Sequence, residues 1–186
     1  MSSLASMILQ KICLLLLVAA MASCHFGKKS KSAQDPVDAY RVIKMVASVP
    51  YMAAAYTSSS DPAYQCMTAS LTSFDETKKE GTYSWYLKSP VDHRTVIKVV
   101  NFHFTSGSAP DLLNFTVEGG GNQVYTAQYT YTNYENCLVS QIPYNNEGLC
   151  ILWVTEEVVD NIPHDCLAEY QATCPVEYRA YDSHIC

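Results

Sequence analysis

Past residues 28–31 this 186-residue chain has no cluster of lysine or arginine. Its formal net charge is −6, so it lacks the positive footprint that nucleic acids and anionic membranes select. It also lacks a membrane-spanning segment. Residues 12–22 are apolar, but that run is too short to cross a bilayer and no stop-transfer segment follows. No G-x-S-x-G, no H-E-x-x-H and no phosphate-cradling loop is present. Gly119-Gly120-Gly121 leads into another strand, not into the helix N-terminus that a phosphate site uses. His25, His93, His103, His164 and His184 are scattered, so no shared metal site is expected. These absences argue against an enzyme, a cofactor and a metal centre. Internal repeats and low-complexity tracts are missing too, and the length suits one domain.

The apolar run after Lys11 reads as a secretory signal peptide over residues 1–24, ending in Met21-Ala22-Ser23-Cys24. A bacterial lipobox is the competing reading of those four residues, and Met21 fits it poorly. Cleavage after Cys24 leaves six cysteines, Cys66, Cys137, Cys150, Cys166, Cys174 and Cys186. Cleavage before it leaves an odd thiol. An even set in an exported chain implies three disulfides, with fifteen pairings open on sequence alone. Parity also argues against a catalytic thiol. Asn114-Phe115-Thr116 is a glycosylation sequon and agrees with a secreted, extracellular protein. Residues 25–35 read as a flexible leader, and residues 36–186 as the folded domain.

Along that domain, Asp35 as cap and Pro36 at the first position predict a helix to Ala47, with Val37, Tyr40, Val42, Ile43 and Val46 on its apolar face. From Val49 the period becomes two, with small residues suited to a curved strand. Tyr64 to Phe74 reads as a strand with Cys66 inside it. Thr82 to Leu87 puts Tyr83, Trp85 and Leu87 on one face. Residues 94–105 form the longest strand, with Val96, Val100, Phe102 and Phe104 sharing a face with Lys98. Leu112 to Glu118 and a glycine hairpin follow. Tyr125, Ala127, Tyr129 and Tyr131 then make an aromatic face opposite Thr126, Gln128 and Thr130. Asn136-Cys137-Leu138-Val139 and residues 148–154 are apolar strands around a breaker-rich turn at 143–148. Asp160 or Asn161, ahead of Pro163, marks a second helix that carries Cys166. About eight strands with no helix between neighbours indicate an antiparallel sandwich or up-and-down barrel. Flanking helices and a cysteine-rich C-terminus favour an all-β, eight-stranded antiparallel up-and-down barrel, with an N-terminal and a C-terminal helix.

The chain resembles the tick salivary lipocalins of the histamine-binding protein family. Asp38-Ala39-Tyr40, Asp61-Pro62-Ala63-Tyr64 before Cys66, Asn136-Cys137, Leu152-Trp153, Asp160-Asn161-Ile162-Pro163, Cys166-Leu167 and Cys186 carry the likeness, in family order and spacing. The resemblance implies a barrel with an interior ligand cavity, and pairs Cys66 with Cys186 and Cys137 with Cys166. On that analogy Cys150 and Cys174 are left to each other, a bridge not common to all members. It implies sequestration of host mediators by a secreted monomer. It also places Asp61, Tyr64, Phe115, Tyr125 and Trp153, together with Leu138 and Ile151, at ligand-contacting positions; Tyr129 of the aromatic stripe and Tyr51 are read as further ligand contacts. Amine binders of the family carry acids where this chain has Leu138 and Ile151. Because an ammonium leaving water needs a carboxylate or ring faces, those replacements point away from histamine. They point toward a lipid mediator such as a leukotriene, a sterol or fatty acid, or a bulkier amine such as serotonin.

Several of these residues also have plainer readings. The tyrosine stripe can be core packing, although buried hydroxyls need partners. Trp153 can be a plug at the barrel base, and Asp61 before Pro62 an ordinary turn residue. The competing function is a barrel scaffold whose loops at 57–61, 74–81 and 106–110 bind a host immune or complement protein. A carrier predicts a continuous cavity of roughly a few hundred Å³; a scaffold tolerates a filled barrel.

Overall fold

A computed structural model describes residues 36–145 and 147–186. The expected signal peptide, the leader and Asp35 lie outside the described residues. Helix α1 spans Ala39–Ala47 and is capped by Asp38, whose carboxylate accepts from the amides of Tyr40 and Arg41. The cap is therefore Asp38 and not Asp35. Either aspartate can start a helix, and the one whose side chain reaches the open amides decides. Val42, Ile43 and Val46 are buried on its inner face.

Nine strands follow: β1 Met52–Thr57, β2 Thr68–Asp75, β3 Glu80–Lys88, β4 Val96–Ser106, β5 Leu112–Val117, β6 Tyr125–Thr132, β7 Cys137–Tyr144, β8 Glu147–Thr155 and β9 Tyr178–Arg179. Every pairing is antiparallel, in the order β2-β3-β4-β5-β6-β7-β8-β1-β9. β1 pairs β2 as well and closes eight strands into an up-and-down barrel. That closing seam holds only Met52 opposite Ala69 and Ala53 opposite Thr68. Cys66 is not within a strand: it sits at φ 58° ahead of β2, after a 3₁₀ turn over Pro62–Tyr64. β7 and β8 run further than the breakers suggest, with Pro143 and Gly148 facing each other inside the ladder.

Where β1 and β2 part, the C-terminal segment fills the gap. β9 pairs Tyr56 and Thr57, the Cys66 amide donates to the Ala180 carbonyl, and the Ala180 amide donates to the Ala55 carbonyl. Three disulfides are formed: Cys66–Cys186, Cys137–Cys166 and Cys150–Cys174. The last two fasten helix α2, His164–Thr173, to β7 and β8. Neither Asp160 nor Asn161 caps α2. Pro163 occupies the cap position, without a side-chain bond, and Asp160 instead accepts from the Ser183 hydroxyl.

The pleat of the sheet divides the apolar residues in two. The inner set fills the barrel under α1, and includes Met52, Ala54, Trp85, Phe102, Phe104, Leu138, Ile151 and Trp153. The outer set, with Ala53, Ala55, Val139, Leu152 and Val154, packs beneath α2 and its buried Tyr170. β1 is thus covered on both faces, which explains its alanines. Helix α1 closes one end: the Asp38 amide donates to the Tyr134 hydroxyl, the Ala39 amide to the Pro110 carbonyl, and Lys44 pairs with Glu76.

Candidate ligand-binding site inside the barrel

Inside the closed wall lies a hollow lined by fourteen residues that span β1 to β8 and by Val46 from α1. Trp85 is its centre. The Trp85 ring lies 4.5 Å from Phe102, 5.5 Å from Tyr144 and 5.6 Å from Trp153, centroid to centroid. Phe104 packs 4.9 Å from Tyr83 nearer the helix end. The free volume is about 70 Å³. That falls short of the several hundred Å³ expected of a carrier, because this four-ring cluster occupies the middle of the barrel. Dispersion between close-packed rings favours this collapse.

Polar groups in the wall are few. The Trp153 indole N–H donates to the Ser140 hydroxyl at 3.1 Å, so that pair is satisfied within the wall. The Tyr83 hydroxyl is buried and meets no partner at hydrogen-bond geometry, with the Tyr129 hydroxyl as its polar neighbour. Burial pushes its ionisation well above the ordinary tyrosine range, with the neighbouring Tyr129 hydroxyl adding to the effect. Burial likewise pushes Tyr129 up to about 12. Two neutral phenols therefore face the hollow, and one of them has a donor and an acceptor to offer. No aspartate or glutamate lines the space.

Of the residues named from sequence, Phe115, Tyr129, Leu138 and Trp153 line the hollow. Tyr125 is half-buried and stacks on Phe115 at 5.4 Å. Ile151 is fully buried in the same inner core but behind the lining. Tyr64 is 2% exposed and part of that core, away from the hollow. Burial pushes its phenol up to about 12, with Glu147 and Asp61 contributing. Asp61 is exposed and caps the 3₁₀ turn by accepting from the Ala63 amide. Tyr51 lies outside the inner core. Burial raises its phenol, and Glu156 and Tyr181 face it.

Tyr131 leaves the tyrosine stripe. A register shift between Tyr129 and Tyr131 turns it to the outer face, where its hydroxyl donates to Asp165 of α2 at 2.6 Å. An extra residue in a ladder reverses the side-chain alternation beyond it. Tyr83, Trp85, Phe102, Phe104, Leu113, Ser140 and Ile142 line the space without having been read as ligand contacts from sequence. The alternation in β3 and β4 marks the first four as one face, but it does not separate lining from packing. Asn114 lies on β5 with its amide donating to the Ser106 carbonyl and its side-chain oxygen accepting from Thr126. Among the described residues no cluster can hold a metal ion, and no helix is long and apolar enough to cross a membrane.

The comparisons with known proteins agree with this architecture. Two similar solved structures are AM182 in complex with serotonin and japanin from Rhipicephalus appendiculatus bound to cholesterol. The first has a TM-score of 0.56 and 13% identity, over 81% of this chain and 94% of that one. The second has a TM-score of 0.53 and 16% identity, over 72% and 92%. Among curated proteins none matches. The model of the tick histamine binding protein family matches residues 28–186, and with that match across the whole barrel the chain belongs to the tick histamine-binding protein family.

Proposed function

We propose that this protein is a secreted carrier that takes an apolar molecule with a hydrogen-bonding group into its barrel, such as a sterol, fatty acid or leukotriene. Removing such a mediator from the host would suppress a defence response at the feeding site. One observation carries the reading: an apolar hollow without a carboxylate, in which the buried Tyr83 hydroxyl has only the Tyr129 hydroxyl beside it and no hydrogen bond of good geometry. A bare ammonium there would lose its hydration with nothing but ring faces in return. A ligand hydroxyl or carbonyl would instead satisfy Tyr83.

Related barrels accommodate both characters of ligand, serotonin in AM182 and cholesterol in japanin, so the lining and not the fold selects. Uptake requires the Trp85 cluster to turn aside, because about 70 Å³ holds no such molecule. The resting barrel is then the collapsed member of a two-state pair. Calorimetric titration of the purified protein with cholesterol, a long-chain fatty acid, a leukotriene, histamine and serotonin tests this. Binding by at least one apolar ligand and none by histamine is expected. Submicromolar histamine binding would refute the role given to Leu138 and the missing acids.

The scaffold reading has one observation in its favour. Val91 is 90% exposed and Ile97 59% exposed, both on the β3–β4 hairpin and not on the loops at 57–61, 74–81 and 106–110, and bare apolar side chains can dock a protein. If that surface is the active one, the double substitution Val91→Ser, Ile97→Ser abolishes host-protein capture and leaves small-molecule binding intact.

A further inference from the structure

The barrel wall has a notch at the end opposite α1. β5 pairs β4 only from Phe102 to Ser106, and β6 pairs β7 only from Gln128 to Thr132. The β5–β6 hairpin therefore stops short, and β4 and β7 stand above it unpaired on their facing edges. Between them lies a space of about 420 Å³, bordered by Lys98, Val100, Tyr125 and Tyr144 and, on its outer side, by Asn101 and Glu118. Only two layers of ring separate it from the hollow. Tyr125 stacks on Phe115, and Tyr144 packs 5.6 Å from Phe102. At the other end α1 is fastened across the barrel through its bonds to Tyr134, Pro110 and Glu76. The buried Tyr64 and the Cys66–Cys186 bridge close the far rim beside β1.

The charges around the notch are sorted by the pleat. Glu118 accepts from the Asn101 amide, and Asn101 accepts in turn from the Ser84 hydroxyl. That chain runs on the outer face of the sheet. Lys98 has the opposite parity, shared with Val100, Phe102 and Phe104, and so belongs to the inward side of the rim. Lys98 has no ion-pair partner among the described residues.

Building on the carrier reading above, we infer that the notch is the ligand's entrance and its head-group site. An apolar chain ending in a carboxylate enters between β4 and β7 and passes Tyr125 and Tyr144. Its carboxylate stays against Lys98 at the wet rim. A charge left there keeps most of its hydration, whereas the hollow has no group to hold one. Rotation of the two ring pairs joins the notch to the hollow and supplies the length an acyl chain needs.

Fluorescence titration with cis-parinaric acid and its methyl ester tests the inference in the intact protein. Wild type should bind the acid more tightly than the ester, with the difference shrinking as salt rises. Lys98→Gln should weaken the acid about threefold to fivefold, the range for a solvent-exposed ion pair. Lys98→Glu should weaken it further. The ester should be unaffected by both, and Lys88→Gln should change neither probe. Tyr125→Ala should speed association of the ester. Equal binding of acid and ester by wild type, or an acid affinity indifferent to Lys98, would overturn the head-group site and leave the carrier reading standing. An association rate indifferent to Tyr125 would overturn the entrance. Failure of wild type to bind either probe would remove the carrier reading itself, and this inference with it.

Discussion

Replacing Tyr83 by phenylalanine removes a single oxygen from the hollow, and the structure sets the sign of the result. The hydroxyl is buried and meets no partner at hydrogen-bond geometry. A group in that state forfeits about 1–3 kcal/mol of hydration that nothing restores. The ring itself keeps its packing against Phe104, 4.9 Å away. Tyr83→Phe should therefore stabilise the ligand-free protein by about 1 kcal/mol, a rise of about 2–4 °C in Tm for a domain of this size. Chemical denaturation at neutral pH measures it, with all three disulfides intact. The cycle with Tyr129→Phe makes the test sharper. If the two phenols merely face each other, the two substitutions add to within about 0.5 kcal/mol. A loss of stability in Tyr83→Phe, with coupling of about 1 kcal/mol to Tyr129, would show that they share a hydrogen bond and refute the orphan hydroxyl. The same variant should bind a hydroxylated apolar ligand more weakly, since the hydroxyl's proposed use is to meet it.

Two further outcomes follow from the same coordinates. Tyr64 and Tyr129 are pushed up to about 12 by burial, and burial raises Tyr83 well above its ordinary value. The fold prefers these phenols neutral, so their contribution is whole below the unfolded tyrosine value of about 10 and is lost as pH rises through 12. For the fully buried Tyr129 alone this is about 3 kcal/mol. Absorbance at 295 nm should show these groups titrating only as the protein unfolds; free titration near pH 10 in the folded state would contradict their burial. Removal of one disulfide at a time should rank by enclosed loop. Cys66–Cys186 spans 120 positions and Cys150–Cys174 spans 24. The chain-entropy difference is about 1.4 kcal/mol in favour of the longer, measurable as the gap in unfolding free energy between Cys66→Ala, Cys186→Ala and Cys150→Ala, Cys174→Ala.

The sequence displays what repeats with the pleat and hides what interrupts it. Tyr83, Trp85 and Leu87 on β3, and Val100, Phe102 and Phe104 on β4, could be assigned to one face because side chains alternate every two residues. Tyr131 continued that rhythm on paper, but the shift before it places the ring under α2. No residue type announces such a shift. Cys66 was placed inside a strand because its neighbours favour one, yet it adopts a left-handed turn that lets the tail reach it. Leu138 and Ile151 shared one reading from sequence, and both point inward. Only Leu138 reaches the hollow, since depth behind a ring cluster is a property of the packed whole. The volume was equally invisible: how far Trp85, Phe102, Tyr144 and Trp153 fold in on one another has no one-dimensional trace.

The two-rung seam between β1 and β2 has a consequence for synthesis. A chain emerging from its amino end can lay down eight strands and still hold this joint ajar, because the rungs that finish it come from residues 178–180, more than a hundred positions after Cys66. Until that late segment docks and Cys186 is oxidised, the nascent hoop has a bare edge on Tyr56 and Thr57. An oxidising compartment and a folding helper that shields loose strands would then speed completion of the vessel, before any question of what it carries.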